Sequence, residues 1–325
     1  MLLIATDEAG YGPKLGPLVI VATAWNLPDS PPLESQLALE RLFDGLRTPL
    51  RCQGVKIVVD DSKSVFQAQG KDGLKSLHAA VSAAVQWSLG TTGFPPKHTS
   101  LWLPIVAPED CESILATPWL GQVPDDPFWT AQQVEPLIQQ WQQAGVSLVK
   151  IAARIITARR FNDACDAGMN KADLLSETTL ALVRNLLEAT ANKVSRAEVF
   201  CDRHGGRQYY SGVLQHTFHE LPIQIGSESK QQSLYRFQHR STEASIRFTV
   251  KGDSFAPVAM SSMIAKYLRE RLMQSLNLHF AALHSGKRPL KPTAGYPVDA
   301  DRYLADIAAI MKTHNIAPRD LVRMR

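Results

Sequence analysis

Apolar positions along this chain come in short runs that break at polar turns. Leu2-Leu3-Ile4-Ala5 leads into Asp7-Glu8, and after Gly10, Gly12 and Gly16-Pro17 a second run begins at Leu18-Val19-Ile20-Val21-Ala22. Short runs bounded by glycine and proline predict strand, polar turn, strand. The same pattern predicts strands at 55–59, 146–156, 199–202 and 246–250. Helical spacing appears between them. Leu74, Leu77, Val81, Ala84 and Val85 predict a helix over 71–89 that ends at Gly90. Leu175, Leu182 and Leu186 share one helical face, and Leu180, Val183 and Leu187 another. Met260, Ile264, Leu268 and Leu272 recur at i, i+4 steps after Pro257, which suits a first helical turn. A Gln-rich helix is expected over 127–143. A helix near 209–220 should precede a hairpin formed by PIQIG and SLYRFQ.

Three of the predicted strands lead into an acid: Asp7, Asp202 and Asp253. A carboxylate at the end of a buried strand is costly unless solvent or a cation compensates it. Taken alone, each of the three is equally well read as a solvated turn. Together they raise a second reading. Hydrolysis of a phosphodiester needs an activated water and neutralisation of charge on the leaving oxygen, which two divalent ions about 4 Å apart supply. Hard cations of that kind take oxygen ligands, and carboxylates converging from strand ends provide them. Glu8 follows Asp7 directly. Neighbouring residues on a regular strand point to opposite faces, so Glu8 is expected past the strand, where Gly10 permits a turn.

Composition narrows the class. No apolar run reaches membrane-spanning length, and residues 1–20 lack the basic start and cleavage site of a signal peptide. Cys52, Cys111, Cys165 and Cys201 are scattered, with no C-x-x-C pair. Free thiols in a reducing cytoplasm are expected, and thiolate zinc ligation is not. The net charge of +4 is unevenly spread: Lys230–Arg325 holds sixteen Lys and Arg against seven Asp and Glu. A basic last third beside an acid-bearing remainder suits a protein that holds phosphates over a carboxylate site.

DEAGYGPKLGPLVIVA resembles the opening motif of the type 2 ribonucleases H, ribonuclease HII and HIII, which read DEAGRGP or DEVGTGD and then GPVVVAA. The strongest match is KGDSFAPVAMSSMIAKYLRER, similar to the family's KGDxxxxxIAAASIIAKVxRD. Lys251, Gly252, Asp253, Ser261, Ser262, Ala265, Lys266 and Arg269 fall on it, with Glu270 at the closing acid. The segment ending at Asp202 resembles the family's VDG or VDN motif, although a longer basic loop, Arg203-His204-Gly205-Gly206-Arg207, follows it here. Asp60-Asp61-Ser62-Lys63 resembles DSKKL.

The resemblance spans about residues 1–90, 146–208, 246–275 and 280–310. It implies an α/β chain of ribonuclease H-like fold, a mixed central sheet flanked by helices. The elaborations at about 91–145 and 209–245 are insertions, and a basic helical part starts at about 277. All 325 residues would form one catalytic domain, without the extra N-terminal domain of ribonuclease HIII. The implied activity is endonucleolytic cleavage of the RNA strand of RNA–DNA hybrids, leaving 3′-hydroxyl and 5′-phosphate ends. Asp7, Glu8, Asp202 and Asp253 would hold two Mg²⁺ or Mn²⁺ ions. Gly10, Tyr11, Gly12, Lys63, Lys266 and Tyr296 would contact the nucleic acid, Tyr296 at the sugar beside the cleaved bond. Tyr11 replaces the family's glycine-flanked arginine. Backbone contacts from Gly10 and Gly12 survive that change and the charged contact does not, so cleavage at a lone ribonucleotide in DNA is in question. Two other readings stay open: the same ions acting on DNA, a junction or structured RNA, and a nucleic-acid-binding protein without catalysis.

Overall fold

The computed structural model describes residues 1–28, 36–66, 73–90, 103–124, 129–190, 194–219 and 221–324. Nine strands occur among them: β1 Leu2–Ala9, β2 Leu18–Asn26, β3 Leu50–Cys52, β4 Val55–Ile57, β5 Ser147–Ile156, β6 Arg196–Asp202, β7 Gln224–Glu228, β8 Gln232–His239 and β9 Thr242–Thr249. Seven form one sheet in the order β5-β2-β1-β6-β9-β8-β7. β2 is antiparallel to both β1 and β5, whereas β1, β6 and β9 run parallel. The sheet is mixed and flanked by helices, as the sequence leads one to expect.

Side-chain alternation along the central strands divides the core into two layers. On one side, Leu3, Ala5, Val19 and Val21 pack against the 28-residue helix Ala256–Leu283. On the other, Leu2, Ile4, Leu18 and Ile20 pack with Leu175, Leu180, Val183 and Leu187 of the helix Lys171–Thr190. The small residues of the long helix allow its close approach. Ser261 Oγ donates to the carbonyl of Ala5 at 2.9 Å and lies 2.9 Å from Thr23 Oγ1.

The predicted strand at 55–59 is shorter and lies elsewhere. β4 pairs only with β3, in a separate two-stranded hairpin. Nothing in the run VKIVV distinguishes a sheet strand from a peripheral hairpin.

Of the elaboration at 91–145, residues 91–102, including Trp102, and 125–128 lie outside the described residues. The rest contains the helices Leu103–Val106, Pro108–Ala116 and Ala131–Trp141. The Pro108–Ala116 helix is fixed to edge strand β5 by Asp110, whose carboxylate is fully buried. It accepts from Arg154 Nε at 3.0 Å, from the Ile155 N–H at 2.7 Å and from Arg160. In the second elaboration, the predicted hairpin is β7–β8, which extends the main sheet beside β9. The four cysteines are free thiols, and no described helix is long and apolar enough to cross a membrane.

Candidate metal and nucleic-acid site

The parallel register of β1, β6 and β9 brings their C-terminal ends to one edge of the sheet. Thr6 pairs with Cys201 and Asp202 with Thr249, so Asp7 and Asp202 stand side by side one step beyond Thr6 and Cys201. By strand alternation both share the face of Ala5 and Phe200, toward the long helix. Asp7 receives a hydrogen bond from Ser262 of that helix and one from the Glu8 N–H at 2.7 Å.

Two acids sit differently from expectation. Glu8 lies within β1, which runs to Ala9, opposite Ile20 of β2; it is not beyond the strand. Asp253 is not at a strand tip. β9 stops at Thr249, Lys251 takes a left-handed conformation (φ 56°), and Asp253 sits on the 3₁₀ turn Gly252–Ser254. That turn is keyed to Asp202, whose Oδ1 accepts from the Gly252 N–H at 2.7 Å. A Cβ at Gly252 would lie 2.9 Å from Asp202 Cα. Gly252→Ala should therefore displace both acids and cost about 1–3 kcal/mol of stability, read by urea unfolding.

All four acids hold their protons more tightly than usual. Burial is the largest cause for each. Glu8 and Asp202 add repulsion at Asp7, Asp202 adds it at Glu8, Asp253 at Asp202, and Asp61 at Asp253. Glu8 is pushed from 4.5 to about 8. Lys63 offsets part of this at Glu8, Asp202 and Asp253, which places its exposed ammonium among the acids.

The donor set is chemically suited to Mg²⁺ or Mn²⁺: only oxygens, several negative charges, and too few cations to balance them. Among the described residues, no three His, Cys, Asp or Glu side chains stand close enough to cage one ion. The acids couple in successive pairs instead, and a hydrated Mg²⁺ needs only one or two carboxylates because it keeps several waters. The oxygen chemistry of the donors suits these ions, although the acids as placed form no three-ligand cage among the described residues.

A pH dependence follows. Raised native carboxyl pKa values mean that the folded protein holds protons the unfolded chain has already released, so stability falls as pH rises from about 4.5 through about 8. Bound divalent cation favours the charged carboxylates and should flatten that fall. Melting temperature against pH, in EDTA and in Mn²⁺, reads this; equal slopes in both would contradict it.

The residues expected to contact nucleic acid surround the acids to different degrees. Gly10 (φ 89°) turns the chain where a Cβ would strike Pro17 O at 2.6 Å and Arg269 Nε at 2.7 Å. Exposed Gly12 lies beside Tyr296, whose ring is 3.9 Å from where a Gly12 Cβ would be. Tyr296 is 52% exposed. It is brought there by Gly295, whose carbonyl accepts from the N–H groups of Lys14 and Leu15 at 2.7 and 3.1 Å. Tyr11 lies against Gly205, in the loop after Asp202, and carries Lys171 Nζ 4.2 Å above its ring. Lys266 pairs with Glu270 at 2.7 Å and lies over Phe66 at 4.4 Å, so the protein itself already occupies its ammonium. Arg203 donates to the carbonyls of Lys230 and Ser229, and Arg207 pairs with Asp173.

Sequence reasoning missed Arg47. Its guanidinium holds the Asp253 turn by donating to the Asp253 and Ser254 carbonyls at 2.8 and 2.6 Å, and it pairs with Asp60 at 2.7 Å. It comes from a mixed, proline-bearing stretch with no motif to flag it. Asp61 caps the short helix Ser62–Val65, as a turn-capping acid would, and is also a charge neighbour of Asp253. A hollow of about 650 Å³ lined in part by Glu112, Thr117, Arg159 and Asp320 contains none of the four acids. The acids lie outside it.

Among solved structures, the chain is similar to type 2 ribonucleases H at low sequence identity. The solved structures it resembles include the ribonuclease H2 of Pyrococcus horikoshii OT3, at 14% identity and a TM-score of 0.41 over 99% of this chain and 92% of that one. Another is the RNase HII of Archaeoglobus fulgidus in its complex with PCNA, at 13% identity and a TM-score of 0.40 over 100% and 95%. A third is Bst-RNase HIII with Mn²⁺, at 14% identity and a TM-score of 0.44 over 100% of this chain and 66% of that one. No protein-family model and no curated protein matches the sequence.

Proposed function

We propose that this protein is a divalent-metal-dependent endoribonuclease that hydrolyses the RNA strand of RNA–DNA hybrids, leaving 3′-hydroxyl and 5′-phosphate ends. One observation supports the reading: Asp7, Glu8, Asp202 and Asp253, from three distant chain segments, lie near the C-terminal ends of the parallel strands, where Glu8 and Asp202 raise the proton affinity of Asp7, Asp202 that of Glu8 and Asp253 that of Asp202. A fold that needed these acids only as caps would not pay for their repulsion.

Asp7, Glu8, Asp202 and Asp253 would hold Mg²⁺ or Mn²⁺. When bound, the ions activate a water and neutralise the charge on the leaving oxygen. The rest falls to the chain. Ser262 and the Glu8 N–H orient the Asp7 carboxylate. The Gly252 N–H orients Asp202, and Arg47 fixes the turn that bears Asp253. Lys63 stands over the acids as a phosphate contact. Gly10 permits the tight turn beside Arg269, exposed Gly12 leaves backbone room for the nucleic acid, and exposed Tyr296 offers a ring for the sugar or base of the cleaved nucleotide. Tyr11 brings no formal charge of its own to the turn, so a continuous hybrid is the better substrate than a single ribonucleotide in DNA.

The test is a panel of hybrid, all-RNA, all-DNA and single-ribonucleotide duplexes with Mg²⁺ or Mn²⁺. Cleavage of the hybrid's RNA strand, with weaker cleavage at the single ribonucleotide, is expected. Cleavage of all-DNA alone would replace the substrate, and tight binding without cleavage of any duplex would remove the enzyme.

A further inference from the structure

The turn Gly10–Gly16 is held from beneath by a segment more than 300 residues away in sequence. Leu15 forms an antiparallel bridge with Val322, and the Arg323 N–H donates to the Lys14 carbonyl at 2.9 Å. The Arg323 side chain is 3% exposed, donates to the Pro13 carbonyl and lies over Phe161 at 5.5 Å. Its Nε and Nη1 are buried with no hydrogen-bond partner among the described residues, and no carboxylate there pairs with it. Two more cations meet the same turn. Arg269, 2% exposed, reaches Gly10 and donates to the Ala294 carbonyl at 2.9 Å. Lys171 lies over Tyr11. Among the described residues the only acid paired with Arg269 is Glu270, at 3.4 Å, and Glu270 is shared with Lys266.

The three cations feel one another. Burial and then Arg269 bring Arg323 down to about 9, and burial and then Arg323 lower Lys171. Unpaired buried cations with idle donors are costly unless an anion answers them. A charge that only held the turn by packing would be better replaced by an apolar side chain.

We infer that Arg323 is a positioning residue for bound nucleic acid: it fixes the turn Gly10–Gly16 from below and brings it a positive charge, paired with no carboxylate among the described residues, for a backbone phosphodiester. This rests on the nucleic-acid reading above. It also gives the turn, through a distant residue, the charge that Tyr11 does not carry.

The test is binding of a fluorescein-labelled RNA–DNA duplex in EDTA, where no cleavage occurs, as a function of salt. Arg323→Met should weaken binding about tenfold near 0.1 M salt and reduce the slope of log K against log salt by about one. Arg323→Lys should restore most of both, which a packing role would not require. Unchanged affinity and slope in a folded Arg323→Met protein would overturn the inference alone. A wild type that neither binds nor cuts any duplex would overturn the nuclease reading as well. If Arg323→Met does not fold, Lys171→Met reads the same cluster from its more open side. A smaller slope there supports the inference and an unchanged slope overturns it.

Discussion

Asp7→Asn is expected to lower cleavage of an RNA–DNA hybrid at least about a thousandfold, the scale of loss when a group that stabilises charge in the transition state is removed. Asp7 sits where the acids meet. It is repelled by Glu8 and Asp202 and oriented by Ser262 and the Glu8 N–H. The amide keeps the shape and loses the charge. In metal-free buffer near pH 7.5 the variant should melt at the same temperature as the wild type or higher, because a buried repulsive carboxylate has gone. It should still bind duplex in EDTA. Loss of turnover with retained folding and binding separates a role in holding cations from a role in holding the fold. Unchanged turnover would remove Asp7 from the mechanism.

The second large effect is on stability. Asp110→Ala should cost about 3–5 kcal/mol, the range for breaking one partner out of a buried ion pair. The carboxylate is fully buried between Arg154 and Arg160 and also takes the Ile155 N–H of edge strand β5. Its loss leaves one guanidinium and one backbone donor in β5 without their acceptor. Arg154 retains Glu109 at 2.8 Å, which places the effect toward the lower end of that range. Urea unfolding should show the midpoint fall. A change within about 0.5 kcal/mol, the scale of an ordinary surface substitution, would mean that the Pro108–Ala116 helix is only loosely attached to the sheet.

Much of the core was legible in the residue pattern. The runs at Leu2 and Leu18 and the helix with Met260, Ile264, Leu268 and Leu272 appear where hydrophobic spacing places them, because one buried face imposes that spacing. Asp7 and Asp202 were legible for a related reason: each follows directly on an apolar strand, and parallel register does the rest. Asp253 was found by its motif but misplaced by its pattern. The left-handed Lys251 ends the strand early, and a lysine there carries no turn signal of the kind a glycine does. Glu8 shows the opposite error. Alternation argued that it must leave the strand, yet it pairs within β1 and still feels Asp202.

Arg47 and Arg323 were not legible at all. Each depends on a partner far away in sequence, Arg47 on Asp253 and Arg323 on the turn at Pro13, and single-chain spacing holds no record of such pairs. Lys266 was read from its motif alone. It occupies a matching position, and the neighbouring Glu270 holds its charge.

The most direct measurement of the central claim is Mn²⁺ binding to the protein without nucleic acid, followed by the loss of the free-ion electron paramagnetic resonance signal. The wild type should take up Mn²⁺ with a dependence on pH that follows deprotonation of the raised carboxyls, and Asp7→Asn and Asp202→Asn should each lose most of that uptake. Equal Mn²⁺ uptake by the wild type and both variants, or none by any of them at millimolar ion, would contradict the assignment of these acids as the cation site.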